Sequence, residues 1–152
     1  MKAKNFSLYD PTGAKRSLSE FKEGWVVIYF YPKDFTSGCT KEAIAFHEAA
    51  AVIKKLGATV IGISKDSPDS HAKFGAKYGL GFLLLSDPDC NTARAWGAFG
   101  TKNMYGKKVE GVKRSTFLIG PGGELVREWI GVKVDGHVEA VVEALREARN
   151  KK

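Results

Sequence analysis

The stretch Trp25–Ala43, WVVIYFYPKDFTSGCTKEA, carries the reading on which the fold depends. Its first part, Trp25 to Tyr31, is short and apolar throughout, as a strand covered on both faces should be. Pro32 ends that run, because proline has no N–H to give to a sheet ladder. A short polar segment follows, and from Cys39 the apolar residues Ala43, Ile44, Phe46, Ala50 and Ile53 recur at helical spacing until Gly57 supplies a stop. A cysteine wanted only for packing would sit inside the apolar run. This one stands at the first turn of a predicted helix.

The same grammar repeats on the C-terminal side. TVIGIS (59–64) reads as a strand, and the helix after it has Ser67 as cap, Pro68 at the first position and Gly79 as terminator. FLLLS (82–86) reads as the next strand. Asp87 and Pro88 then open a helix that Gly97 ends, which puts Cys90 in its first turn. Residues 98–113, AFGTKNMYGKKVEGVK, carry glycines and little periodicity and predict a loop near the working face. RSTFLI (114–119), GPGG (120–123) and ELVREWI (124–130) read as strand, turn and strand, an antiparallel hairpin. Asp135 is the expected cap of a last helix with Val138, Val141, Val142, Leu145 and Ala148 on one face.

At the N-terminus, FSLY (6–9) and the turn DPTG (10–13) begin a short hairpin, and Ser19 offers a cap for a helical turn. Alternating strands and helices imply parallel pairing, and the late hairpin adds antiparallel strands. The expected class is α/β: a mixed central sheet flanked by helices, in the order of a thioredoxin-like fold with an N-terminal hairpin extension. One domain over residues 1–152 is expected.

The formal charge of +7 raises the question of nucleic acid, but it is diffuse. Acidic residues are interleaved throughout, the densest basic cluster (Arg146, Arg149, Lys151, Lys152) is terminal, and no nucleic-acid-binding module accompanies it. No apolar segment approaches the roughly 18 to 20 residues that cross a bilayer, and the start MKAKNFSLYD lacks the apolar core of a secretory signal. No nucleic-acid or membrane partner is expected, and a soluble cytoplasmic protein is. The two cysteines form no C-x-x-C, which argues against a disulfide scaffold or zinc site and fits a reducing compartment. No pair among His47, His71 and His137 has metal-ligand spacing, so no metal is expected.

At a helix N-terminus the sulfur of Cys39 lies beside unpaired N–H groups and the positive end of the helix dipole, and both favour thiolate over thiol. A small cysteine at a tight turn is ordinarily structural, but its surroundings argue for reactivity. Pro32 shields the sulfur, Thr36 supplies a hydroxyl, and Gly38 lets an incoming group approach the backbone. Together they spell P-x-x-x-T-x-x-C.

That segment, YFYPKDFTSGCTKEA (29–43), resembles the active-site segment of the peroxiredoxins, most closely the bacterioferritin comigratory protein or peroxiredoxin Q group. The resemblance extends to NFSLYDPTG (5–13), LLSDPD (84–89), KNMYGKK (102–108), RSTFLI and VDGHVEAV (134–141). Ser37 departs from it where many members carry proline, and Phe35 where an acidic or polar residue is common.

The resemblance implies a thiol peroxidase. Cys39 would attack one peroxide oxygen and become a sulfenic acid. Thr36 would hydrogen-bond the peroxide and the sulfur, the N–H groups of Gly38 and Cys39 would hold the oxygens, and Arg114 would stabilise the thiolate and the departing charge. No cofactor is implied, since the thiolate supplies the electrons.

Many relatives carry a resolving cysteine one turn further along the same helix, where this chain has Ile44. Other members resolve from the helix after the third strand, in a pattern that puts the thiol nearer Ala93 than Cys90. Cys90 is the favoured resolver here, against a structural thiol with recycling by an external one. The implied electron source is thioredoxin or a similar dithiol, and the implied working unit is a monomer. Trp96, Phe99, Met104 and Tyr105 are candidates for the entrance to the thiol, or ordinary core residues. Two rival readings stand beside this one. Thioredoxin-type thiol-disulfide exchange would ordinarily need a C-x-x-C. In a binding or chaperone-like module, Cys39 would be incidental.

Overall fold

The computed structural model describes residues 1–150, apart from the side chain of Met104. Lys151 and Lys152 of the basic terminal cluster, and Met104 as an entrance side chain, lie outside what is described. The apolar run forms strand β3 (Trp25–Phe30), preceded by β1 (Ser7–Tyr9), β2 (Lys15–Ser17) and a short 3₁₀ turn over Leu18–Phe21. Helix α1 (Ser37–Lys55), β4 (Ala58–Ser64), α2 (Pro68–Tyr78), β5 (Leu83–Ser86) and α3 (Asn91–Ala95) follow. The remainder is β6 (Phe99–Met104), β7 (Lys107–Val112), β8 (Ser115–Ile119), β9 (Leu125–Ile130) and α4 (His137–Asn150).

Seven strands form one mixed sheet in the order β2-β1-β5-β4-β3-β8-β9. β3 pairs in parallel with β4, and β4 with β5, while β8 and β9 add antiparallel strands and β1 joins β5 antiparallel. The expected mixed sheet, flanking helices and N-terminal hairpin are all present. Because side chains alternate along a strand, β3 feeds two cores. Val27, Tyr29 and, just past the strand, Tyr31 pack under α1, α2 and α4, whereas Val26, Ile28 and Phe30 pack on the other face with α3 and the N-terminal segment. Each such fully buried side chain contributes about 1.5–3 kcal/mol. No helix among the described residues is long and apolar enough to cross a membrane.

Gly62 in β4 shows how tightly the first core is closed. A Cβ there would stand 2.9 Å from Tyr29 Cζ and 3.0 Å from Leu84 Cδ2. Tyr29 has no room to yield, since it is fully buried and stacked on Phe46 with ring centroids 4.5 Å apart. Gly62→Ala is therefore expected to cost about 1–3 kcal/mol of stability through overpacking. An unchanged urea midpoint would contradict this.

Several local expectations need correction. Residues 98–113 are a β-hairpin, not a loop: β6 and β7 pair antiparallel through Tyr105 and Gly106, both at positive φ (53° and 78°), as a tight hairpin turn requires. The hairpin stands apart from the main sheet and β7 is largely exposed, so no buried face imposes an alternating pattern on its sequence. The 3₁₀ turn is capped from Ser17, not Ser19, with Ser17 N donating to the Glu20 carboxylate at 2.7 Å. Helix α4 starts at His137, and the Asp135 carboxylate instead accepts from Lys41 Nζ at 2.6 Å. Finally, α3 is short, and Cys90 is not in its first turn. It is the N-cap, in the left-handed region at φ 61°. The capping acceptor is the carboxylate of Asp87, which takes hydrogen bonds from the N–H groups of Thr92 (3.2 Å) and Ala93 (3.0 Å).

Candidate active site

The parallel strands β3, β4 and β5 end together at one edge of the sheet, and the segments that follow them meet there. After β3 the chain runs through Pro32 to Thr36, the N-cap of α1, with Ser37, Gly38 and Cys39 as its first three helical residues. The N–H groups of that first turn have no intrahelical carbonyl to bond. The Thr36 side chain does not cap them, because its hydroxyl donates to Lys33 O at 2.8 Å. The turn is thus left with donors facing whatever occupies the site, and the hydroxyl oxygen retains its acceptor capacity.

Cys39 is 1% exposed, a free thiol at the start of the α1 core stripe that continues through Ala43 and Phe46. Arg114, immediately before β8, reaches across to it from a position remote in sequence. Its Nη2 lies 3.5 Å from Cys39 Sγ while its Nη1 donates to Glu42 Oε1 at 2.7 Å. Gly38 makes this approach feasible: a Cβ there would stand 3.1 Å from Arg114 Nη2. The incoming group that Gly38 admits is therefore the guanidinium itself.

Glu42 is the member of this group that sequence reasoning missed. It is fully buried on the inward face of α1 between Cys39 and Phe46, where, among the described residues, the arginine alone compensates its charge. Burial pushes its carboxyl up to about 7, against the opposing pull of Arg114. Burial lowers the Arg114 pKa, but Glu42 and Cys39 outweigh this and hold the guanidinium above its ordinary value. A glutamate on an otherwise apolar helical stripe was the available signal, since a buried charge demands a partner.

A cleft of about 740 Å³ opens from Pro32 and Thr36 toward Cys90. Phe99 and Tyr105 line it, as does Lys102 of the β6–β7 hairpin, whose ammonium donates to Val112 O at 2.8 Å. Burial lowers the Lys102 pKa, with the sulfur of Cys39 acting in the opposite sense. Trp96 is not at this entrance. It packs inside the second core against Phe6, Phe30 and Phe117.

Cys90 is 8% exposed, and burial, reinforced by Asp87, pushes its thiol up. It packs in the core on the sheet face opposite Cys39. Of the histidines, His47 accepts from Gly81 N at the surface, and His137 is buried against the Thr116 hydroxyl at 2.7 Å. His71 lies beside Asp34 and Asp66, with their ligand-type atoms all within 4.8 Å of one another. That cluster could not be seen in the histidine spacing, because its members come from three segments.

Comparison with known proteins identifies the family. The family model of the AhpC/TSA family matches residues 1–128. Peroxiredoxin Bcp of Xanthomonas campestris pv. campestris is 47% identical over 134 residues, covering 88% of this chain and 84% of that protein. Peroxiredoxin Bcp of Bacillus subtilis is 41% identical over 150 residues, covering 99% and 96%. A solved structure of the X. campestris bacterioferritin comigratory protein, studied for its alkyl peroxide reduction activity, superposes with a TM-score of 0.89 at 44% identity, covering 95% of this chain and 92% of that one. A helix-start thiol that meets a guanidinium from a distant strand, within a chain so closely matched, leaves one assignment: the chain belongs to the AhpC/TSA family, as a thiol-dependent peroxidase of the peroxiredoxin Bcp group.

Proposed function

We propose that Cys39 is the nucleophile of this peroxidase and that hydrogen peroxide and organic hydroperoxides, alkyl peroxides among them, are its substrates. The observation that carries the reading is the 3.5 Å approach of Arg114 Nη2 to Cys39 Sγ at the open first turn of α1. The sulfur attacks the nearer peroxide oxygen and the O–O bond breaks. Cys39 becomes a sulfenic acid, and the other oxygen leaves as water or alcohol after taking a proton. Arg114 and the N–H groups of Gly38 and Cys39 supply donors where negative charge moves from sulfur to the leaving oxygen. Thr36 aligns the peroxide through its hydroxyl, and Pro32 keeps bulk water off the sulfur. Glu42 acts through Arg114 and fixes the guanidinium's angle.

Cys90 is the resolving thiol in this reading, and a thioredoxin-like dithiol reduces the resulting disulfide. Its place beside the same cleft as Pro32 and Thr36 favours that role. The two thiols are buried in cores on opposite faces of the sheet, so the segments that carry them, the first turn of α1 among them, have to shift before they meet, since a disulfide needs Cα atoms within about 7 Å. The working unit is taken to be a single chain in a reducing cytoplasm, a reading that rests on the resemblance and on two cysteines that form no C-x-x-C. Thioredoxin-type exchange is less favoured, because Cys39 has no second cysteine beside it.

One equivalent of peroxide followed by non-reducing peptide mapping is expected to yield a Cys39–Cys90 linked pair, and Cys90→Ser is expected to accumulate the Cys39 sulfenic acid. A persistent sulfenic acid in the unaltered chain would remove Cys90 from the mechanism and leave an external thiol as resolver.

A further inference from the structure

Asp34 lies in the segment between β3 and α1, is 3% exposed, and takes no part in the chemistry above. Its Oδ1 accepts from the Tyr31 hydroxyl at 2.6 Å, and its Oδ2 accepts from the Ser70 hydroxyl of α2 at 2.8 Å. Its own N–H donates to the Asp66 carboxylate at 2.8 Å. Behind it, His71 Nε2 stands 3.7 Å from Oδ2 and is tied to the Ser64 hydroxyl at 2.8 Å, with the Ser86 hydroxyl 3.4 Å from Nδ1. The end of β3, the turn after β4 and the first turn of α2 therefore converge on one residue. Phe35, next in the chain, is held at φ 65° with its ring against Phe74, a left-handed conformation that a non-glycine residue keeps only when its neighbours enforce it. Thr36, the cap of α1, comes immediately after.

We propose that Asp34 is a positioning residue, a latch that ties the Pro32–Thr36 segment to α2 and sets how readily the first turn of α1 leaves the sheet to expose Cys39. The proposal rests on the peroxidase reading for its purpose. A sulfur that is 1% exposed has to be released to meet any reductant, and Asp34 is the last side chain before the turn that carries it whose hydrogen bonds reach another element, that of Thr36 staying within the segment.

Among the described residues, no cation stands against the latch's charge. From β3 it faces the neutral Tyr31 hydroxyl, from the turn after β4 the like-charged Asp66, and from α2 Ser70 and His71. His71 does not compensate, since burial holds it down to about 4 and it is neutral near pH 7. Burial raises the Asp34 carboxyl from 3.8 to about 6, against the lowering effect of the two hydroxyls.

The sign follows by linkage. The closed latch binds its proton more tightly than the open one, so closure is strongest below pH 3.8 and weakens as pH rises to about 6. The opening constant should grow by about a hundredfold across that window and then level off. At neutral pH the latch is at its loosest. Global unfolding behaves differently, because it also exposes His71. Its folded pKa lies below the unfolded 6.5, so its contribution is lost as pH falls from 6.5 toward about 4, opposite in sign to that of Asp34. A local opening that leaves His71 between Ser64 and Ser86 is free of the histidine's contribution, and comparison with Asp34→Asn removes that of Glu42.

Hydrogen exchange by mass spectrometry on the full chain, corrected for intrinsic rates and run from pH 4.5 to 8, tests the latch. In peptides spanning 33–42 the opening constant of the unaltered chain divided by that of Asp34→Asn should climb to about pH 6 and then flatten, the ratio removing the contribution of Glu42, whose buried carboxyl is raised to about 7 in both proteins. Ser70→Ala, which removes one anchor and keeps the carboxylate, should raise opening in the same peptides and leave those of β8 and α4 unchanged. The idea is overturned if peptides 33–42 open only with the whole molecule, or if the ratio of the two opening constants does not change with pH. Should Asp34→Asn fail to fold, the unaltered profile together with Ser70→Ala decides. Peroxide turnover measured on the same samples separates the two readings. An unaltered chain without turnover defeats the peroxidase assignment, whereas turnover with a flat exchange profile defeats the latch alone.

Discussion

Cys39→Ser is expected to lower peroxide consumption by about three orders of magnitude or more, because the hydroxyl that replaces the thiol has no accessible anion near neutral pH and no soft lone pair to attack an O–O bond. The fold should survive. Serine is close in size, and the Arg114 guanidinium that lies 3.5 Å from the sulfur can donate to an oxygen in its place. Rapid-mixing peroxide reduction, set beside circular dichroism and a urea midpoint, separates lost chemistry from lost structure. Near-normal turnover by a folded Cys39→Ser protein would make the thiol incidental and return the chain to the binding or chaperone-like reading. The companion Cys90→Ser protein supplies a control, since it should keep the first turnover and lose only the recycling step.

Arg114→Met should fail in two ways at once. Removing a donor aimed at developing charge typically costs about 10²- to 10³-fold in rate, and a loss of that size in sulfenic acid formation is expected here. The second failure is structural. Glu42 is fully buried and Arg114 Nη1 is its ion-pair partner at 2.7 Å, so the variant leaves a carboxylate uncompensated, at a cost of about 3–5 kcal/mol when it is ionised. Glu42 can escape by holding a proton, because burial already places it at about 7 with the arginine present. Without the arginine its folded pKa moves further up.

A folded pKa above the unfolded 4.5 means that the associated stability is fully present below pH 4.5 and lost as pH rises through the folded value. Arg114→Met should therefore be much closer to the unaltered protein in stability at pH 5 than at pH 8. The double variant Arg114→Met with Glu42→Gln should recover most of the loss at pH 8 while remaining slow. Equal destabilisation at both pH values, or no recovery in the double variant, would mean that the pair does not hold the site in the way described.

The legible parts of this molecule were those written in local pattern. Trp25 to Tyr31 is apolar at every position because β3 lies between two cores, and Ser67, Pro68 and Gly79 bound α2 as their backbone chemistry demands. The hairpin over residues 98–113 was not legible, because a ribbon of largely exposed strands has no buried face to impose alternation. Cys90 was placed in a helical turn because Asp87 and Pro88 resemble a helix start. Asp87 instead caps α3 from outside, and the chain turns through a left-handed Cys90 before the helix begins.

The sequence by itself determined the order of the elements of the main sheet and its helices, and a thiol at the start of a helix, because each of these depends on the spacing and type of residues close together in the chain. It also supplied Thr36 and Gly38, which lie within one turn of that thiol. Only the tertiary structure decided that Arg114 bridges Cys39 and Glu42, that Asp34 is held by Tyr31, Ser70 and Asp66, and that Cys39 and Cys90 face opposite cores. Those relations join residues from separate strands and helices. They come into being only when the ends of β3, β4 and β5 and the start of β8 are brought to one edge of the sheet, where burial removes the water that would otherwise satisfy each charge.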